Sequence, residues 1–144
     1  NICRSPLAEG IMKKLIQDKG LSTQFTVDSC GTSAYHVGEL PHRGSIDIAH
    51  QHSIDITDQR SRQVEANDFA KFDWIVAMDT SNRNNLRHLN SSGSAHQRIV
   101  MLLDYASGSA PRDVPDPYYG GGFDTVFNLI EDGCAGLLNH ILSS

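Results

Sequence analysis

The sequence has no apolar run approaching the roughly 20 residues that a membrane-crossing helix needs. It does not open with the charged-then-apolar pattern of a secretory leader. Basic residues are in deficit: 12 Lys and Arg against 17 Asp and Glu leave a formal charge of −5. That is the wrong sign for a nucleic-acid partner, whose phosphates call for a basic face. Cysteine is scarce, and Cys3, Cys30 and Cys134 are odd in number and far apart, which fits neither a disulfide framework nor a zinc ribbon. A reducing, cytoplasmic setting is therefore expected. The seven histidines lack ligand spacing and read as surface or loop residues, not as metal ligands.

What remains is the composition of an ordinary globular chain. Its 144 residues suit a single domain, 1–144. Leu7, Ala8, Ile11, Leu15 and Ile16 recur at helical spacing, with Ser5 placed to cap, Pro6 in the first turn and Gly20 as a stop. Residues 25–29 read as a short strand, 44–51 as a helix and 65–71 as a short helix. The continuous apolar runs 74–78 and 99–103 read as strands covered on both faces. A polar helix over 81–89 lies between them. A stripe of Phe123, Val126, Phe127, Ile130, Cys134, Leu137, Leu138 and Ile141 marks a closing helix to Leu142. Strands alternating with helices imply an α/β fold with a parallel sheet. The stretch from Tyr105 to Gly122, with Pro111, Pro115 and Pro117, is too long for a plain connection and is expected to carry function. In this class a helix that opens on an anion-binding loop normally follows a buried strand. A further strand is expected before Asn1, with only three strands inside the sequence.

Two motifs suggest chemistry. Asn1-Ile2-Cys3-Arg4-Ser5-Pro6 places an arginine at the start of a helix, where backbone N–H groups converge on an anion. Arg4 adds a planar fork of donors suited to two phosphate oxygens. At the other end, Asp116-Pro117-Tyr118-Tyr119-Gly120-Gly121 puts a carboxyl group between stiffening prolines, beside two aromatic rings. Together these stretches resemble the low-molecular-weight protein tyrosine phosphatase family: the first looks like the end of its Cys-x5-Arg-Ser/Thr-Pro signature, the second like its Asp-Pro-Tyr motif. Smaller likenesses run along the chain. Ser29 ends the second strand, Val37-Gly38 and Pro41 match the variable loop, Ser61-Arg62-Gln63 is similar to Ala-Arg-Gln, and Met78-Asp79-Thr80-Ser81-Asn82 is similar to Met-Asp-x-Ser-Asn.

The resemblance implies a three-layer α/β/α, flavodoxin-like fold with a four-stranded parallel sheet, whose first strand precedes the chain. It implies hydrolysis of phosphotyrosine on proteins, and of aryl phosphates, through a cysteinyl-phosphate intermediate, with no metal or organic cofactor needed. The family's nucleophilic cysteine stands six positions before the arginine, which is three residues upstream of Asn1. Arg4 and Asp116 would be the catalytic pair, Asp116 acting as general acid and then as base. Asn1, Ile2, Cys3, Arg4 and Ser5 would bind phosphate, and inorganic phosphate or sulfate is the expected occupant. Ser29, Gln59 and Asp79 would support the loop, although the family often has histidine at the position of Gln59. For Asp79, a helix cap and a catalytic role stand side by side. Tyr35, Tyr118 and Tyr119 would line the ring slot. Cys3 matches a second loop cysteine that, in the family, can form a reversible disulfide with the nucleophile. Cys30 and Cys134 read as small core residues. Two alternatives remain: a non-catalytic phosphate or phosphotyrosine binder, and an arsenate reductase, which would need further cysteines between Cys30 and Cys134.

Overall fold

A computed structural model describes residues 3–32, 36–90, 98–108, 111–117 and 122–143. In chain order the elements are α1 (Arg4–Asp18), α2 (Arg43–Gln51), α3 (Asp68–Lys71), β1 (Ile75–Ala77), α4 (Thr80–Leu89), β2 (Ile99–Met101), a 3-10 turn at Leu102–Tyr105, and α5 (Phe123–Ser143). β1 and β2 pair in parallel, with Ile75 opposite Ile99, Val76 opposite Val100 and Ala77 opposite Met101. A parallel pair needs a crossover, and α4 supplies it.

The period of two along the strand sorts side chains between two helical layers. Trp74, Val76 and Met78 pack into the core formed with α1, α2 and α5. Ile75 and Ala77 face the other way, with Phe69 of α3 and Leu86 of α4. Ile99 and Met101 join that second cluster, while Leu102 and Leu103 return to the first. The α/β expectation is thus met, with helices on both faces of the sheet.

Several expectations are corrected in detail. Ser5 does not cap α1: the helix already includes Arg4, and Cys3 stands at the N-cap without a side-chain capping bond. Pro6 is then the third helical residue, where a missing N–H still costs nothing because the first four have no helical partner. Gly20 does stop the helix, at φ 71°, in the left-handed region that glycine enters freely. The expected strand 99–103 ends at Met101, because the chain turns there to seat Leu102 and Leu103 beneath α5. Gly136 allows that close seat: a Cβ there would fall 1.8 Å from the Tyr105 carbonyl oxygen.

The strand expected over residues 25–29 is not formed: residues 25–30 belong to no helix and no ladder. Their one neighbouring pairing is the parallel bridge between Gly31 and Gln63. Between this segment and β1 lies a cleft of about 570 Å³. It is walled by Phe25–Gly31 on one side and Trp74–Met78 on the other. Met12 of α1 and Leu138 of α5 close it from one helical layer, and Phe69 and Leu86 from the other. Ile75 and Val76 are consequently only half-buried, not covered on both sides as their apolar run suggests. No helix among the described residues is long and apolar enough to cross a membrane.

Candidate active site

Arg4 sits in the first turn of α1 with its side chain 5% exposed. A buried guanidinium needs acceptors, since an unpaired charge in the interior is strongly unfavourable. Arg4 Nη1 donates to Asp79 Oδ2 at 2.7 Å and to the Val114 carbonyl oxygen at 2.7 Å. These partners come from the end of β1 and from the proline-rich loop, so one side chain ties three distant segments together.

Asp79 is the helix cap, and it has a second task. Its Oδ1 accepts from Asn82 N–H at 2.7 Å and caps α4, while Oδ2 holds Arg4. A carboxylate at a helix N-terminus is favoured by the unpaired N–H groups there. A second carboxylate shares this helix end: Asp113 Oδ1 accepts from Thr80 N–H at 3.0 Å and from Thr80 Oγ1 at 2.8 Å. The next residue along, Val114, donates its N–H to the Met78 carbonyl at 2.9 Å. The loop is therefore pinned just before Pro115 and Asp116.

Asp116 is half-buried. It lies close enough to Cys3 for its charge to oppose ionisation of that thiol. Burial is the larger cause, Arg4 pulls the other way, and the Cys3 pKa is pushed up to about 11. Cys3 is thus held as the neutral thiol at pH 7 and is a poor nucleophile. Cys134 is buried and its pKa is raised to about 12, chiefly by desolvation, as befits the small core residue expected. Cys30 is half-buried rather than core, and burial again raises its pKa.

The supporting residues are partly rearranged. Ser29 Oγ donates to Glu9 Oε1 at 2.6 Å, a bond to α1. Gln59 Nε2 donates to the Pro6 carbonyl at 3.1 Å, again at α1's first turn. Ser5 lies half-buried in that turn and borders the cleft. Asn1, Ile2, Tyr35, Tyr118 and Tyr119 lie outside the described residues. Among the described residues there is no group of three His, Cys, Asp or Glu that could hold a metal.

Three supports escaped sequence reasoning. Ser45 of α2, fully buried, donates to the Cys3 carbonyl at 2.8 Å and steadies the residue before Arg4. Glu9, 7% exposed, joins Ser29 to Lys13, whose ammonium it accepts at 2.6 Å. Asp113 is the third. The only sequence cue was an i,i+4 Glu–Lys spacing, which reads as a surface pair.

A family model described as low molecular weight phosphotyrosine protein phosphatase matches residues 1–144. The chain belongs to this family. Bacillus subtilis YfkJ, a low molecular weight protein-tyrosine-phosphatase, is 42% identical over 142 residues, covering 98% of this chain and 90% of that protein. The crystal structure of YfkJ superposes with a TM-score of 0.95 at 41% identity, covering 99% of this chain and 89% of that one. A Schizosaccharomyces pombe low molecular weight phosphotyrosine protein phosphatase is 37% identical over 144 residues, covering 98% of this chain and 91% of that protein. A Drosophila arginine phosphatase structure is similar at TM-score 0.90 and 34% identity, covering 98% of this chain and 92% of that one. Family membership agrees with the phosphatase reading that the two motifs implied.

Proposed function

We propose that this site hydrolyses phosphotyrosine on protein substrates, and aryl phosphates generally, through a cysteinyl-phosphate intermediate. The observation that carries the reading is the convergence of Arg4 and the Asp116 loop: residues 110 positions apart meet through the bond from Arg4 Nη1 to the Val114 carbonyl. Arg4 binds phosphate beside loop N–H groups of Asn1, Ile2, Cys3 and Ser5 and stabilises the charge that develops in transfer. Inorganic phosphate or sulfate is the simplest occupant. The nucleophile this reading requires is a cysteine six positions before Arg4, ahead of Asn1. Its thiolate forms the S–P bond as the P–O bond breaks, and Asp116 gives its proton to the departing phenolate. Water then attacks phosphorus, Asp116 takes its proton, the S–P bond breaks, and phosphate and thiolate are released. Tyr35, Tyr118 and Tyr119 form the ring slot. Ser29, Gln59 and Asp79 support the loop. Cys3, adjacent to Arg4, is the partner for a reversible disulfide with the nucleophile when a peroxide oxidises the two thiols, the peroxide O–O bond breaking and both thiol protons leaving in two waters.

The four-stranded, flavodoxin-like sheet, with its first strand ahead of Asn1 and residues 1–144 forming a single domain, belongs to the same reading. The cleft between residues 25–31 and β1 supports it. Apolar side chains of both helical layers close it, and among the described strands β1 pairs on one edge only, with β2. A strand leading into the loop at Asn1 would pair with the other edge. The scattered thiols favour a cytoplasmic setting.

The test compares the chain from Asn1 with one extended through the expected strand and cysteine, on phosphotyrosine and phosphoarginine peptides. Turnover of phosphotyrosine by the extended chain alone is expected, with Asp116→Ala lowering it by about 10²- to 10⁴-fold. Preference for phosphoarginine would overturn the substrate assignment. Phosphate binding without turnover by the extended chain would establish the non-catalytic alternative.

A further inference from the structure

The N-terminus of α4 carries two carboxylates, and each has a second task. Asp79 caps the helix and holds Arg4. Asp113 accepts both the N–H and the hydroxyl of Thr80, and it stands three residues before Asp116. Between them, Val114 is buried at 1% exposure, with its N–H on Met78 and its carbonyl on Arg4. Beyond Val114 the chain has little freedom, because Pro115 and Pro117 fix φ on both sides of Asp116. Asp116 is therefore the short, stiff end of a lever whose clamp is Asp113–Val114.

We propose that Asp113 is a positioning residue for the general acid: its grip on Thr80 sets where Asp116 stands relative to the phosphate held by Arg4. This rests on the reading of Asp116 as proton donor. Proton transfer is sensitive to the donor–acceptor distance, and a catalytic group displaced by about 1 Å can lose on the order of 10²-fold. Asp113 is exposed and touches no reacting atom, so its effect passes through the loop alone. Because α4 also presents Asp79, one helix end sets the arginine and the acid in a single frame.

The consequence is specific to the leaving group. A phenolate of high pKa needs the proton as the P–O bond breaks, while a strongly activated phenolate leaves without it. The full-length enzyme is assayed for kcat/KM, which reports formation of the phosphoenzyme, on phenyl phosphate and on 2,4-dinitrophenyl phosphate. Asp113→Ala is expected to lower the first about tenfold or more and the second by less than about twofold. Asp113→Asn keeps an acceptor oxygen for Thr80 and is expected to recover most of the loss. Thr80→Val, which removes only the hydroxyl bond, is expected to fall between them and remains informative if Asp113→Ala is poorly folded. Equal losses on both substrates, or no loss on phenyl phosphate, would overturn the proposal. Asp116→Ala separates the two levels. If it leaves the leaving-group dependence unchanged, the general-acid reading itself fails. If it steepens that dependence and neither Asp113→Ala nor Thr80→Val does, only the positioning role fails.

Discussion

Replacing Asp79 tests the joint on which the site is built. Its carboxylate makes two bonds, and two substitutions separate them. Asp79→Ala removes the cap on Asn82 N–H, which costs about 1 kcal/mol. It also takes the anion away from Arg4. Stripping one partner from a fully buried pair costs about 3–5 kcal/mol. Here Arg4 retains the Val114 carbonyl, and the Asp79 side chain is 18% exposed, so a loss of about 2 kcal/mol is expected from that half. Asp79→Ala should therefore lower the unfolding free energy by about 3 kcal/mol, and Asp79→Asn, which can still cap, by about 2 kcal/mol. Urea denaturation measures both, with m-values unchanged if the native state stays compact. A cycle with Arg4→Met isolates the pair: in that background Asp79→Ala should cost only the cap, about 1 kcal/mol. The loss should persist at high salt, because a mostly buried pair is weakly screened. If Asp79→Ala costs as much in the Arg4→Met background as it does in the wild type, the ion pair does not organise the site and the reasoning fails.

Two further outcomes follow from the packing. Gly136→Ala forces a methyl group toward the Tyr105 carbonyl, 1.8 Å from an ideal Cβ, and should cost about 3 kcal/mol or more, with Gly122→Ala, where the nearest atom is 3.8 Å away, as a mild comparison; thermal melting of the two variants checks it. Asp68 is paired with Arg62 at 2.9 Å and accepts from Glu65 N–H. Burial alone would raise its pKa, but the Arg62 and Glu65 bonds reverse this and hold it below the usual carboxylate range. A depressed folded-state pKa contributes stability above the unfolded pKa and loses it as pH falls through the lowered value. The stability gap between wild type and Arg62→Met should thus be full at pH 6–7 and close progressively below about pH 4, as followed by urea midpoints; a gap that stays constant to pH 2 would contradict the pairing.

The readings that survived were those carried by local pattern. The α5 stripe predicted Phe123–Leu142 and the helix spans Phe123–Ser143, because 3.6-residue spacing is a property of neighbouring residues. Asp79 as a helix cap was legible for the same reason: capping acts within three residues. Strand extents were less legible. Residues 25–29 carry strand-like composition, yet a ladder requires a partner edge, and composition does not say which edge lies alongside. The apolar run 74–78 likewise announced burial on two faces, while the cleft leaves Ile75 and Val76 half-buried. The i,i+4 spacing of Glu9 and Lys13 by itself indicates a surface pair, yet packing against Ser29 puts the carboxylate inside.

By itself, the sequence determined which chemistry the chain carries: a helix-opening arginine, a proline-flanked acid, and the segments that bear them. Those follow from residue type and short spacing. Only the tertiary structure decided that Arg4 rests on Asp79 and on the carbonyl of Val114, 75 and 110 positions away, and that Asp113 fastens the acid loop to α4. The reason is physical. A buried guanidinium takes whichever acceptors the packed core leaves within about 3 Å, and that choice is made by the meeting of a strand end, a helix end and a loop, none of which carries a mark in sequence of where the others will be.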